Sequence, residues 1–185
     1  MVNGALHSFM SSRKVSNKAR LAVHEEGVLV PTLMYGSETW VWQKKHESRI
    51  NAVEMRALRN MIGVKLSDRI RNSEIRKRCG LKEDVVTKIE KGMLRWFGHV
   101  ERMNEERLTK KVYKASVNES VGRGRPRRTF LDQIRDVLKK DQVKSTLNHR
   151  ACMKGIMKVD EAKQVCKDCS KWKELVSAYP YGKEA

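Results

Sequence analysis

Leu94-Arg95-Trp96-Phe97-Gly98-His99-Val100-Glu101-Arg102-Met103 closes a run that begins at Glu83. Within it Val86, Ile89, Met93, Trp96, Phe97, Val100 and Met103 recur at steps of three and four residues. That spacing predicts a helix over 83–103 with one continuous apolar face. Glu83 and Asp84 stand where the helix dipole favours anions. Gly98 breaks the pattern, and a glycine inside a helix costs about 1 kcal/mol relative to alanine. A close helix crossing accounts for it. Trp96 and Phe97 read as core residues rather than as platforms for bases. His99 has no partner in the pattern and receives no catalytic role.

Downstream, Gly122-Arg123-Gly124-Arg125-Pro126-Arg127-Arg128-Thr129-Phe130-Leu131 is a basic Gly/Pro loop feeding another helix. Thr129 can cap that helix, which runs to Lys140 with Phe130, Ile134, Val137 and Leu138 on one face. Between the two, Asn104 opens a short helix to Ala115. Upstream, Ser16 caps a helix over 16–34, which Pro31 should kink or end near Val30. Lys45 to Ile62 reads as a helix with Ile50, Val53, Ala57 and Met61 as its stripe. Gly63 follows it at the position where left-handed glycines end helices. A short helix over 73–79 stops at Gly80. Two tail helices are expected, over 145–157 and 160–178, the second with Ala162, Val165, Cys166, Cys169, Trp172 and Val176 on one face. No stretch alternates long enough for a strand. The expected fold is all-α, an irregular helical bundle of about six to eight helices with a basic Gly/Pro loop.

The 185 residues carry 40 Lys+Arg against 22 Asp+Glu, a formal charge of +18. Such an excess points to a polyanionic partner, nucleic acid before membrane. The charge is uneven. Residues 41–82 hold 12 basic and 4 acidic side chains, residues 121–144 hold 8 and 3, and residues 83–120 hold 8 and 7. Two basic zones therefore flank a mixed one. Hydrophobic residues make up 39% and aromatics 6%, so the core is modest and base-stacking platforms are disfavoured. Residues 1–14 contain no apolar run of the secretory kind. The apolar run over 27–36 is half of the ~20 residues a bilayer requires. The expected location is intracellular and nuclear, without a membrane partner.

Catalytic patterns are missing from the sequence. A polymerase palm needs clustered carboxylates to hold two Mg²⁺ ions, and no Asp-Asp pair occurs. No Walker-type loop and no nucleophile–base pair stand out. The expectation is a non-enzyme. The sharpest local motif, Arg123-Gly124-Arg125-Pro126, resembles the AT-hook core. A segment kept thin by glycine and extended by proline can lie in a narrow minor groove with its arginines along the floor. Plain phosphate contact by a solvated basic turn is the competing reading. His149-x2-Cys152-x13-Cys166-x2-Cys169 has the spacing of a zinc site. However, Cys166 and Cys169 occupy apolar positions of an expected helix, where cysteine packs as a small hydrophobe. No cofactor is expected, with zinc on His149, Cys152, Cys166 and Cys169 as the alternative.

The ordered set of motifs resembles the region C-terminal to the reverse-transcriptase core of non-LTR, LINE-type retrotransposons of the RTE/jockey kind. The resemblance rests on Val30-Pro31-Thr32-Leu33-Met34-Tyr35-Gly36-Ser37-Glu38-Thr39-Trp40 and on Asp68-Arg69-x-Arg71-Asn72-x-Glu74-Ile75. The 94–103 stretch and the 122–132 element complete it. It implies a thumb-like helical region over 1–115, a basic loop over 116–128 and a helical tail over 129–185. It implies a non-catalytic part that grips RNA, DNA or their hybrid beside an upstream polymerase palm. The implied contact sets are Arg69, Arg71, Arg76, Lys77 and Arg78, and Arg123, Gly124, Arg125, Pro126, Arg127 and Arg128. Two alternatives stand beside it: a truncated element remnant without activity, and a zinc-stabilised DNA-binding module.

Overall fold

Helix-capping chemistry, hydrophobic spacing and three left-handed glycines account for most of the local structure among the described residues. The computed structural model describes residues 8–9, 12, 14–39, 41–81, 83–115, 128–145 and 158–179. Among these, every regular element is helical and no strand occurs. The fold is all-α, as the periodicity predicts. The chain forms two compact units. One comprises residues up to Ser37 with Trp42–Ile89, and the other Glu38–Val41 with Glu90–Lys183.

The first unit opens with α1 (Asn17–Ala22), whose cap is Ser16 accepting the Ala19 N–H at 3.2 Å. A π-helical turn, Val23–Gly27, follows. The break then falls at Val28, φ −130°, and not at Pro31. Pro31 lies in the first turn of α2 (Leu29–Met34), where its missing N–H is of no consequence. The long α3 (Lys44–Ile62) ends at Gly63 in the left-handed conformation, φ 70°. Its buried face is Met55, Leu58 and Met61, rotated from the expected stripe, so that Val53 is 40% exposed. The reason is tertiary. Met55, Leu58 and Met61 form one cluster with Ile75 and Cys79, and Leu21 packs against it. Ile75 belongs to α4 (Asn72–Arg78), which Gly80, φ 75°, brings to an end.

Buried charges lock this unit. The Arg20 guanidinium donates to the Met61 carbonyl at 2.6 Å and to Ser12 and Val15 carbonyls at 2.6 and 2.9 Å. A cation thus satisfies the negative end of α3. Glu54, fully buried on α3, accepts from Arg76 of α4 at 2.7 Å and from the Val85 backbone N–H at 3.2 Å. Val85 begins α5 (Val85–Arg102), which supplies its first turn to this unit and the rest to the other.

His24, in the π-helical turn, is buried with neither ring nitrogen hydrogen-bonded. Burial pulls its pKa from 6.5 to about 4, opposed by Glu25 and helped by Lys88. The folded state therefore binds fewer protons than the unfolded one between these values. Its contribution is complete above pH 6.5 and is lost as the pH falls towards 4, on the order of 3 kcal/mol in all. His24→Phe removes that loss. The thermal midpoint of the variant relative to wild type should rise as the pH drops from 7 to 4.5. A pH-independent difference would rule out His24 as the source.

The second unit is built on α5 from Glu90 onwards. It adds α6 (Leu108–Lys114), α7 (Phe130–Ser145), α8 (Val159–Cys166) and α9 (Cys169–Ser177). Trp172 of α9 lies across Gly98 and donates its indole N–H to the Leu94 carbonyl at 2.9 Å. This is the close crossing that a mid-helix glycine predicts. Tyr179 donates to Glu90 at 2.7 Å. Lys110, 1% exposed, places its ammonium 2.8 Å from the Val100 carbonyl and 3.1 Å from that of Glu101. It neutralises the carbonyl end of α5, while Tyr113 donates to the Glu101 carboxylate at 2.7 Å. Thr129 and Asp132 cap α7 reciprocally, Asp132 accepting the Thr129 N–H and Thr129 the Asp132 N–H. The Thr129 hydroxyl, donating to the Asp132 carboxylate at 2.7 Å, and the Thr129 N–H together hold that carboxyl below the usual carboxylate range.

One expectation changes here. The helix over 160–178 is two helices, because Asp168 caps α9 by accepting the Ser170 and Lys171 N–H groups. The chain passes from the first compact unit to the second within α5, between Ile89 and Glu90. The Tyr113 and Phe130 rings make an edge contact, centroids 6.4 Å apart, so α6 and α7 share one unit. The helix expected over 145–157 lies outside the described residues beyond Ser145.

Candidate nucleic-acid interface

The first basic zone is displayed by a short, pinned loop. After α3 the chain makes a 3₁₀ turn, Leu66–Asp68, closed by the Asp68 carboxylate accepting the Lys65 N–H at 2.8 Å. Arg69 follows with φ 49°, the one left-handed non-glycine among the described residues. Holding a non-glycine residue there costs about 1 kcal/mol. Arg59 of α3 then donates to the Ile70 carbonyl at 3.1 Å and to the Asn72 side chain at 2.9 Å. That pair of bonds holds the Ile70 backbone carbonyl and the Asn72 side chain on either side of Arg71.

The five expected contact residues of this zone divide. Arg69, Arg71 and Lys77 are exposed. Arg78 is exposed and donates to Glu74 at 2.9 Å, one turn away on α4. Exposed pairs of this kind are worth less than about 1 kcal/mol and exchange readily for another anion. Arg76 points inward. It is held by Glu54 at 2.7 Å and Asn51 at 2.5 Å, so its charge is committed to the core. Arg59 is the residue that the sequence reading missed. Its place off the apolar stripe of α3 gives no sign of this role, which only the path of the loop reveals.

Of the second contact set, Arg128 alone falls among the described residues. Arg128 pairs with Asp136 of α7 and is tied to that helix surface. Arg123, Gly124, Arg125, Pro126 and Arg127, with the AT-hook-like motif, lie outside the described residues.

Of the four zinc candidates, His149 and Cys152 also lie outside the described residues. Cys166 is buried at the end of α8, and burial among apolar groups pushes its thiol up to about 12, helped by Glu101. A thiol so held resists forming the thiolate that zinc requires. Cys169 is exposed at the start of α9, a departure from its expected core position that follows from the break at Asp168. Among the described residues no group of three or more His, Cys, Asp or Glu side chains gathers to hold a metal ion. His99 is exposed and lies against the Trp96 ring, centroids 5.7 Å apart, a neighbour that its sequence position did not reveal.

Among the described residues no helix is long and apolar enough to cross a membrane. Compared with family models, curated proteins and solved structures, the chain finds no match.

Proposed function

We propose that the chain is a non-catalytic, nucleic-acid-gripping part of a non-LTR retrotransposon reverse transcriptase, equivalent to the region that follows the polymerase palm. It holds the backbone of RNA, DNA or a hybrid in the nucleus, and the polymerase chemistry belongs to an upstream palm. The observation that carries this reading is the loop over 65–71. An arginine occupies a left-handed position that glycine or asparagine would fill at lower cost, and a second arginine is braced from behind by Arg59. Phosphate contact gives a reason for cations at these positions. Packing gives none, because both side chains are exposed.

The test is binding of labelled A/T-rich DNA, G/C-rich DNA and RNA–DNA hybrid over a salt series. Each phosphate neutralised contributes about 0.9 to the slope of log affinity against log salt. Removing Arg69, Arg71 and Lys77 together should lower that slope by about 2 to 3. An unchanged slope would remove this loop from the interface. Changing Arg123 and Arg125 to alanine tests the basic Gly/Pro loop in the same way, with loss of A/T preference marking minor-groove insertion.

One second reading has its own observation. Tyr35 is 87% exposed, and Leu108 and Val112 are exposed on one side of α6. In a remnant without activity these side chains would be apolar surface left over from packing against a palm. Absence of salt-dependent binding would favour it.

A further inference from the structure

We infer that the cleft between α7 and the start of α8 is an additional anion site, shaped to take a phosphodiester group of a nucleic-acid backbone. The inference rests on the nucleic-acid reading and adds a contact surface in the second compact unit. The cleft is about 320 Å³ in volume and is rimmed by Arg135, Lys139, Lys158 and Lys163, with Asp160 as the single carboxylate among the described residues that line it.

Four cations around one concavity oppose folding. Arg135 and Lys139 are one turn apart on α7, and like charges at that spacing destabilise a helix. Among the described residues, Arg135 alone of the four makes an ion pair, with Asp132 at 2.7 Å. The Asp132 carboxylate is already shared with the Thr129 cap, so it orients Arg135 more than it neutralises it. The remaining excess is relieved by an anion from outside.

The floor narrows the choice of anion. Leu131 is half-buried and Val159 buried beneath the charged rim. An apolar floor under cations suits a phosphate joined to a sugar better than a small hydrated ion. Three of the four cations are lysines, which act as point charges without the planar fork of arginine. They fit a backbone held without sequence preference. The sequence alone hides this arrangement, because Lys139 and Lys158 are separated by residues that include all of 146–157.

The experiment uses the full chain and a labelled RNA–DNA hybrid over a salt series, with unfolding curves confirming that each variant is folded. Lys139→Gln, Lys158→Gln and Lys163→Gln are combined. A control combines Lys18→Gln, Lys44→Gln and Lys167→Gln, all exposed elsewhere. The expected result is about a tenfold loss of affinity and a slope reduced by about 2 in the cleft variant, with the control close to wild type. Equal losses in both would mean that net charge alone matters and would overturn the site. Wild-type binding in the cleft variant, with the Arg69, Arg71 and Lys77 variant impaired, would overturn the site while leaving the gripping function intact. Failure of the wild type to bind the hybrid would overturn both. Loss restricted to binding of phosphatidylserine vesicles would replace the backbone phosphate with a lipid headgroup and overturn the proposal as stated.

Discussion

An alanine at Gly98 is expected to destabilise the second compact unit by about 3 kcal/mol, although glycine to alanine in a helix ordinarily stabilises by up to about 1 kcal/mol. The reversal follows from geometry. A Cβ at this position would fall 2.2 Å from the indole nitrogen of Trp172 and 2.4 Å from its Cδ1. The indole cannot retreat cheaply. It is 2% exposed, its N–H is bonded to the Leu94 carbonyl at 2.9 Å, and its ring lies against Phe97 with centroids 5.8 Å apart. Moving it breaks a buried hydrogen bond and opens a void at once. The check is a double-mutant cycle followed by urea unfolding. Trp172→Ala alone should cost about 3–5 kcal/mol. On that background Gly98→Ala should turn neutral or stabilising, since the clash has gone and only the helix preference remains. A stabilising Gly98→Ala in the wild-type background would mean that the crossing is loose enough to admit a methyl group beside Trp172.

Gly98 was legible from sequence because its cost is local and its exception needs a neighbour. Ser16, Gly63 and Thr129 were legible for a related reason: a cap or a left-handed stop is settled within four residues. The register of α3 was not. Its apolar residues define more than one stripe, and the choice of Leu58 over Val53 is made by Ile75 and Cys79, which arrive from α4. Charged residues were harder still. Lys110 and Glu54 read as surface side chains in any hydrophobicity pattern. Each is buried because it serves a helix end from another element: Lys110 the carbonyls of α5, Glu54 the Val85 N–H. The candidate interface was therefore legible as a zone and blurred as a set of residues. Arg59 shapes that zone from a helix that sequence treats as separate. Cys169 was misplaced because the Asp168 cap outweighed the continuous apolar spacing of 162–176.

Arg76 carries the sharpest consequence of that blur. In sequence it is the first of three consecutive cations, Arg76, Lys77 and Arg78, and looks equivalent to them. In the fold it belongs to Glu54, whose side chain is almost wholly buried. Removing Glu54 leaves the Arg76 guanidinium beside Asn51 alone, with its Nε already lacking a partner, and leaves the Val85 N–H without its carboxylate. Breaking one side of such a pair typically costs about 3–5 kcal/mol, and Glu54→Ala should fall in that range. Arg76→Ala should cost a similar amount by stranding the carboxylate. Replacing both, Glu54→Leu with Arg76→Met, should cost less than either single change, because no charge is then left buried. That double variant also separates structure from contact. With the fold retained and Arg76 gone, the salt dependence of nucleic-acid binding should match the wild type, whereas removal of Lys77 should reduce its slope by about 0.9. A folded double variant that had lost the same increment would put Arg76 on the phosphate after all. The inward geometry would then be one of two states, with nucleic acid competing against Glu54 for the guanidinium.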